Sequence, residues 1–340
     1  MGKIIKDGKI QVSRGGASHI VPFIGMIRFI AMLMIIICHL MQALDLELAQ
    51  WFNVGVPIFL CISGFLYGQR NIGEITSFYF KRFAKIYIPF LISYIPLGLF
   101  QFAFEGSGIN IITFIRGALL NDTILGGGHL WFVPTILVCY AITPILQSYR
   151  DRYFTNQPHA VFVTFIILAV ETVYFGLFNR FFSPAWICCY TIGYVLGSNE
   201  GKSLVKRKHI FLWFCILAIS FNAMQIYCDY IKHMTFPGYG HFVQYAHVTL
   251  GVALFLLMRF IFEGRDLNKF EHILDVSDKY SYEIYLVHAM VILGPFSLIN
   301  LTPYLVVNIL IILVVTSLIA YIIKHAANKV IGLCQVKFLK

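Results

Sequence analysis

Arg28 and His39 stand in one hydrophobic stretch, residues 20–44, in which almost every other side chain is apolar. Eleven residues separate them, about three helical turns, so a helix places both on nearly the same face, roughly 16 Å apart along its axis. An arginine near the centre of a bilayer costs roughly 3 to 10 kcal/mol. The pair therefore predicts a first membrane helix whose polar face is turned toward the interior of the protein and serves its function.

The two residue types suit a reaction in which a base removes the proton of a hydroxyl and a cation holds a negatively charged or polarised group. Histidine titrates near neutral pH, so His39 is a candidate general base for the hydroxyl proton. Arginine keeps its charge, so Arg28 suits an anion, a polarised carbonyl or a developing oxyanion. In the alternative interpretation, Arg28 pairs with Glu171 or Glu283 as a structural ion pair, and His39 hydrogen-bonds a neighbouring helix.

The composition predicts an all-α, polytopic membrane helix bundle. Of the 340 residues, 59% are hydrophobic and only 12% are charged, which is too apolar for a soluble globule. The net charge of +10 does not indicate nucleic acid, because the basic residues are scattered between apolar runs. About ten membrane spans are expected, over residues 20–44, 51–68, 86–104, 130–146, 160–178, 182–196, 210–227, 242–262, 280–298 and 303–323.

Both termini are predicted to be cytoplasmic. That orientation places 22 lysines and arginines inside and 3 outside. An eleventh span at 109–125 would reverse the asymmetry, so this segment is predicted to be interfacial or re-entrant. The expected organisation is a basic amino terminus (1–19), one membrane domain (20–326) and a basic tail (327–340). The cysteines lack metal-ligand spacing, and neither a disulfide framework nor a metal site is expected.

Five motifs in order resemble acyltransferase family three, the integral-membrane O-acyltransferases of cell-surface glycans. The first is Arg28 and His39, which match that family's Arg-X10-His signature. The others are FNVGVPIFLCISGFLYG (52–68), KRFAKIYIP (81–89), HLWFVP (129–134) and SYEIYLVH (281–288). The resemblance covers nearly the whole chain. Where the family often has Arg-X-X-Arg, this chain has Arg82 and Lys85, and lysine lacks the bidentate fork that suits phosphate.

The resemblance implies transfer of an acyl group from a coenzyme A thioester, with His39 as the base, Arg28 as the donor or oxyanion contact, and no metal. Arg82, Lys85 and more weakly Lys81 are expected to contact the phosphates of acetyl-CoA, although lipid anchoring explains such residues equally well. His129, Trp131, Tyr285, His288 and Ser63 are candidates for binding the substrate. Trp131 also fits an aromatic belt, Ser63 fits helix packing, and His288 fits cavity lining.

The predicted function is transfer of an acyl group, acetyl from acetyl-CoA, to a hydroxyl of an envelope or secreted polysaccharide. The expected location is the cytoplasmic (plasma) membrane, with membrane lipids, a glycan or lipid-linked glycan acceptor and polysaccharide-biosynthesis proteins as partners. The alternative is a transporter or flippase for a glycan or lipid-linked sugar, which would use the polar face of the first helix as a substrate path.

Overall fold

A computed structural model describes residues 22–104, 110–122, 127–153, 157–178, 183–199 and 207–338. These residues are helical and contain no strand, as the composition predicts. The predicted amino-terminal segment 1–19 lies outside them. The helices are α1 (Pro22–Ala43), α2 (Ala49–Phe52), α3 (Gly55–Gly68), α4 (Ile75–Phe104), α5 (Ile111–Ala118), α6 (Phe132–Tyr153), α7 (Gln157–Phe178), α8 (Pro184–Ser198), α9 (Arg207–Ile226), α10 (Tyr239–Phe262), α11 (Glu271–Ile292) and α12 (Leu305–Phe338).

Seven described segments are long and apolar enough to cross a membrane: those of α1, α2 with α3, α4, α6, α9, α10 and α12. The other three predicted spans coincide with α7, α8 and α11. Of these, α8 has 15 residues, and α11 begins with a charged and polar turn. The total of ten spans and the orientation of the termini therefore stay predictions. Helix α5 has 8 residues, about 12 Å, too short for the eleventh span that the charge pattern also disfavours.

Helices α3 and α8 pack closely because both carry glycines at their contact, spaced four residues apart along each helix. A Cβ added to Gly64 would lie 2.0 Å from the carbonyl oxygen of Tyr190, and one added to Gly197 would lie 2.0 Å from that of Phe65. Small residues at this spacing let membrane helices pack backbone to backbone. The glycine of the Ser-Gly-Phe motif therefore serves packing, which fixes the position of its neighbour Ser63.

Helices α1 and α11 run parallel, side by side. Arg28 near the start of α1 forms an ion pair with Asp278 of α11, and His39 lies against His288 of the same helix. The contacts are eleven residues apart on one helix and ten on the other, about 15 Å of rise on each. The predicted polar face of α1 is thus turned toward α11, inside the bundle.

Helix α12 continues through the boundary predicted at residue 327. It has 34 residues, about 50 Å in length, whereas the hydrocarbon core of a bilayer is about 30 Å thick. Lys324, Ala327 and Asn328 stand on this helix and line a cavity together with residues of α4 and α11. The last part of α12 therefore belongs to the folded bundle.

Candidate active site

Three histidines from three separate segments meet at one end of the α1–α11 pair. The ring of His39 lies 5.0 Å from that of His288 and 6.3 Å from that of His129, measured between centroids. The rings of His129 and His288 are 5.6 Å apart. His129 stands in a 3-10 turn, Gly128–Trp131, that leads into α6. The structure therefore brings together three histidines that the sequence scatters over 250 residues.

Each ring has one nitrogen directed at an oxygen that can only accept a hydrogen bond. His39 donates from Nδ1 to Oε1 of Gln42 at 2.6 Å, and His129 donates from Nε2 to the carbonyl of Leu286 at 3.0 Å. His288 donates from Nδ1 to the carbonyl of Tyr285 at 2.8 Å. When a ring is neutral, its other nitrogen then carries a lone pair. All three imidazoles thus present an acceptor, and that of His288 has no partner among the described residues.

Burial distinguishes the three rings. His129 is 8% exposed and His288 is 1% exposed, whereas His39 is half-buried. A general base has to come within hydrogen-bonding distance of the proton that it removes. His39 is therefore the ring of the three that a substrate can reach, and His129 and His288 lie behind it.

Tyr285 ties α11 to the histidine turn, because its hydroxyl donates to the carbonyl of His129. The same side chain lines an inner cavity of about 180 Å³. Arg28, Ser63 and Ser281 also line this cavity, so these three side chains and that of Tyr285 face one common space. The inner cavity extends along the face of α1 between Arg28 and Ile35, one turn before His39.

The ion-pair partner of Arg28 is Asp278, not the glutamates named in the alternative interpretation. Glu171 accepts a hydrogen bond from Thr191 at 2.7 Å, and Glu283 pairs with Lys324 at 2.9 Å. Those two assignments were wrong because a single sequence does not show which helices are neighbours. Arg28 and Asp278 each keep part of the side chain exposed, 22% and 15%, so the pair can contact a ligand.

A second cavity, of about 310 Å³, lies beyond this ion pair; we call it the basic cavity. Arg82 and Lys85 of α4 line it, as predicted for a phosphate site, and Lys324 of α12 lines it as well. Lys81 is exposed, and the structure does not bring it to the lining. One turn separates Lys81 from Lys85 on α4, but the cavity faces only the latter.

The two cavities share part of their walls. Ile86, Tyr140 and Tyr282 line both of them, and Tyr282 donates a hydrogen bond to the carbonyl of Ile86 at 2.8 Å. Arg28 faces the inner cavity while its partner Asp278 faces the basic cavity. The order along the bundle is therefore basic cavity, ion pair, inner cavity and histidine cluster.

Trp131 packs against another tryptophan. Its ring stacks on that of Trp186 in α8, with centroids 5.4 Å apart and planes 25° apart. Trp186 is buried in the core that α3 and α8 form with their neighbours. Stacking occupies one face of Trp131, and the inner cavity is lined by the adjacent Phe132 instead.

Sequence reasoning missed Asp278, Gln42 and Lys324. Asp278 and His288 are ten residues apart, a spacing close to that of Arg28 and His39, and this match was a usable signal. In the part of the chain that the structure describes, no group of three or more His, Cys, Asp or Glu side chains is arranged to hold a metal ion.

The comparisons with known proteins match the chain to a protein family. The model of acyltransferase family 3, described as an acyltransferase domain, matches residues 21–325. This range includes the three histidines, the ion pair and the cationic residues of the basic cavity. No curated protein matches the chain, and no solved structure matches it.

Proposed function

Because the chain belongs to acyltransferase family three, we propose that it transfers an acetyl group from acetyl-CoA to a hydroxyl of an envelope or secreted polysaccharide. Membership of the family makes it a membrane acyltransferase. The observation that carries the finer proposal is the order of groups along the bundle. A cationic cavity suited to phosphates lies at one end, and a partly exposed histidine suited to deprotonating a hydroxyl lies three helical turns away.

In the proposed reaction, Nε2 of His39 removes the proton from the acceptor hydroxyl. The hydroxyl oxygen attacks the carbonyl carbon of the thioester, and a C–O bond forms while the C–S bond breaks. The thiolate leaves and takes the proton from the imidazolium, which restores the neutral ring. Gln42 holds Nδ1 of His39 protonated, so that Nε2 is the basic nitrogen.

Arg28 has the role of holding the donor in this proposal. Its Cα is about 16 Å from that of His39 along α1, so its side chain, which is paired with Asp278, does not reach a carbonyl bound beside His39. A cation at this position suits the donor between its phosphates and its thioester. The oxyanion contact considered for Arg28 from the sequence is therefore not part of the proposed mechanism.

The acceptor is proposed to be a glycan or lipid-linked glycan that approaches from the His39 end, in a cytoplasmic membrane with the basic cavity facing the cytoplasm. Hydroxyl acceptors fit a site whose reactive groups are neutral imidazoles and a tyrosine. Acetyl-CoA is a cytoplasmic metabolite and enters at the cationic end. Polysaccharide-biosynthesis proteins that present the acceptor are the expected partners.

The test is transfer of radiolabelled acetyl from acetyl-CoA into glycan by membranes that contain the wild-type chain. We expect label in wild type, a loss of about 10²- to 10⁴-fold in His39→Ala, and a large loss in Arg28→Ala at matched expression. Normal transfer by His39→Ala at normal abundance would refute the assignment of the base. Absence of label in wild type with acetyl and other acyl donors, together with substrate accumulation in proteoliposomes, would favour the transporter.

A further inference from the structure

The last helix forms one wall of the basic cavity. Lys324, Ala327, Asn328 and Ile331 of α12 line it, at the spacing of i, i+3, i+4 and i+7 that defines one helix face. Arg82 and Lys85 of α4 line it as well. Residues 327, 328 and 331 lie beyond residue 325, at which the match to the family model ends. The cavity thus includes a part of the chain outside the family domain.

Lys324 is held in place by a buried carboxylate. Its Nζ lies 2.9 Å from Oε1 of Glu283, whose side chain is 1% exposed. An ammonium has three N–H donors, and this ion pair uses one of them. The Lys324 side chain is 26% exposed, so donors are left for a ligand in the cavity.

The charges of the lining favour an anion. Its two carboxylates are each already paired, Asp278 with Arg28 and Glu283 with Lys324. The charges of Arg82 and Lys85 therefore face the cavity without a carboxylate of the lining to neutralise them. Arg82 also lies over the ring of Tyr67, 5.1 Å from its centroid, which orients the guanidinium without removing its charge.

We propose that Lys324 and Asn328 form the second half of a binding site for the phosphate groups of a nucleotide acyl donor, opposite Arg82 and Lys85. This inference rests on the proposed function and specifies how its donor is held. Lysine binds phosphate as a point charge, and the asparagine amide donates to a phosphate oxygen. A cation on α12 adds to the contact at Lys85, where a lysine lacks the bidentate geometry of an arginine.

The direct test is the affinity of the purified full-length chain for coenzyme A without an acyl group. The main variant is Lys324→Met with Glu283→Gln, because the second change avoids leaving a buried carboxylate unpaired. We expect its affinity to fall about tenfold or more, Lys324→Arg to stay within about threefold of wild type, and Asn328→Leu to lose about threefold. Lys329→Met is the matched control: it removes an exposed lysine of the same helix that does not line the cavity.

A second readout separates phosphate binding from a structural role. Acetyl-pantetheine carries the thioester without the nucleotide phosphates, so its rate of acetyl transfer should be the same in wild type and in the double variant. Slower transfer from both donors in equal proportion would mean that α12 acts on the fold and would overturn the assignment. If the double variant does not fold, Asn328→Leu carries the test, since it breaks no ion pair.

The remaining outcomes distinguish this inference from the proposed function. Wild-type transfer from acetyl-CoA together with unchanged coenzyme A affinity in both Lys324→Met/Glu283→Gln and Asn328→Leu would overturn the role of α12 and leave the acyltransferase intact. A wild-type chain that neither binds coenzyme A nor transfers acetyl from it would overturn both.

Discussion

Replacing His288 with leucine should slow acetyl transfer about 10- to 150-fold without abolishing it. When His39 takes the hydroxyl proton, its ring becomes an imidazolium, and the neighbouring ring of His288 lies 5.0 Å away between centroids. Nδ1 of His288 donates to backbone carbonyls, so the neutral ring presents Nε2 as an acceptor. A hydrogen bond to a charged group contributes about 1.5 to 3 kcal/mol, which corresponds to the stated factor in rate.

The assay is steady-state transfer from acetyl-CoA by detergent-purified protein, with kcat and the donor KM obtained separately from the dependence of the rate on donor concentration. His39→Ala should lose about 10²- to 10⁴-fold, and the double variant His39→Ala/His288→Leu should be no slower than His39→Ala alone, because His288 acts through His39. His325→Leu is the matched control: His325 also donates from Nδ1 to a carbonyl four residues earlier, at 2.8 Å, but it is exposed on α12.

Two results would refute this reasoning. If His288→Leu transfers acetyl at the wild-type rate, the unpartnered nitrogen of His288 has no part in the reaction. If His288→Leu is as slow as His39→Ala and the two losses multiply in the double variant, His288 is a base in its own right. An altered donor KM with an unchanged kcat would also contradict the prediction, since the histidine cluster lies three turns from the basic cavity.

Three further predictions concern the scaffold. Gly64→Ala should lower stability by about 1 to 3 kcal/mol, because the added Cβ would lie 2.0 Å from a backbone oxygen of α8. Thermal melting should show this loss. The control Gly332→Ala should show none, because no atom lies within 4 Å of the Cβ that it adds. Asp278→Leu should lower the melting temperature by leaving Arg28 without its carboxylate, and Arg28→Met in the same chain should recover part of that loss. Backbone and side-chain hydrogen bonds from Ser77 and Thr76 hold the pKa of Glu74 below its usual range. The stability that the ionised carboxylate contributes is therefore present above the ordinary pKa of 4.5 and is lost as the pH falls through the lower pKa of the folded state. Melting measured across pH should show that wild type loses more stability on acidification than Glu74→Gln.

Some of the site follows from local spacing and could be predicted. Arg28 and His39 share a helix, so the helical repeat alone places them on one face, and that face is turned toward α11. The interval between Arg82 and Lys85 likewise predicts their common side of α4, and both line the basic cavity. In these cases a single helix fixes the geometry, and no knowledge of its neighbours is needed.

Other parts depend on contacts between helices that are distant in sequence. The partner of Arg28 is 250 residues away in Asp278, and in the sequence only its ten-residue interval to His288 distinguishes that aspartate from Glu171 or Glu283. The same holds for Trp131, whose stacking partner Trp186 stands on another helix and could not be predicted from the residues around Trp131. Burial of a polar side chain in a membrane protein requires a partner, but the sequence does not name it.

Contacts between distant helices also explain why hydropathy alone does not identify every helix of the bundle. Helix α11 carries Asp278, Glu283 and His288, and these polar residues keep it out of the set of strongly apolar helices. They are also the residues that contact Arg28, Lys324 and His39 in the bundle. A helix whose polar groups are satisfied by other helices needs fewer apolar residues, because its sides face protein rather than lipid.

Under the proposed function, the parallel course of α1 and α11 gives the donor and the acceptor opposite ends of one polar seam. Each ionisable group on α1 has its counterpart on α11 at the same height, an ion pair at one level and a pair of imidazoles about 15 Å beyond it. Charged groups thus lie where phosphates of a donor would stay, and neutral, titratable groups lie where a hydroxyl would react. In the proposed reaction the thioester end of the donor extends past the ion pair and the inner cavity of about 180 Å³ toward His39, where the hydroxyl attacks it.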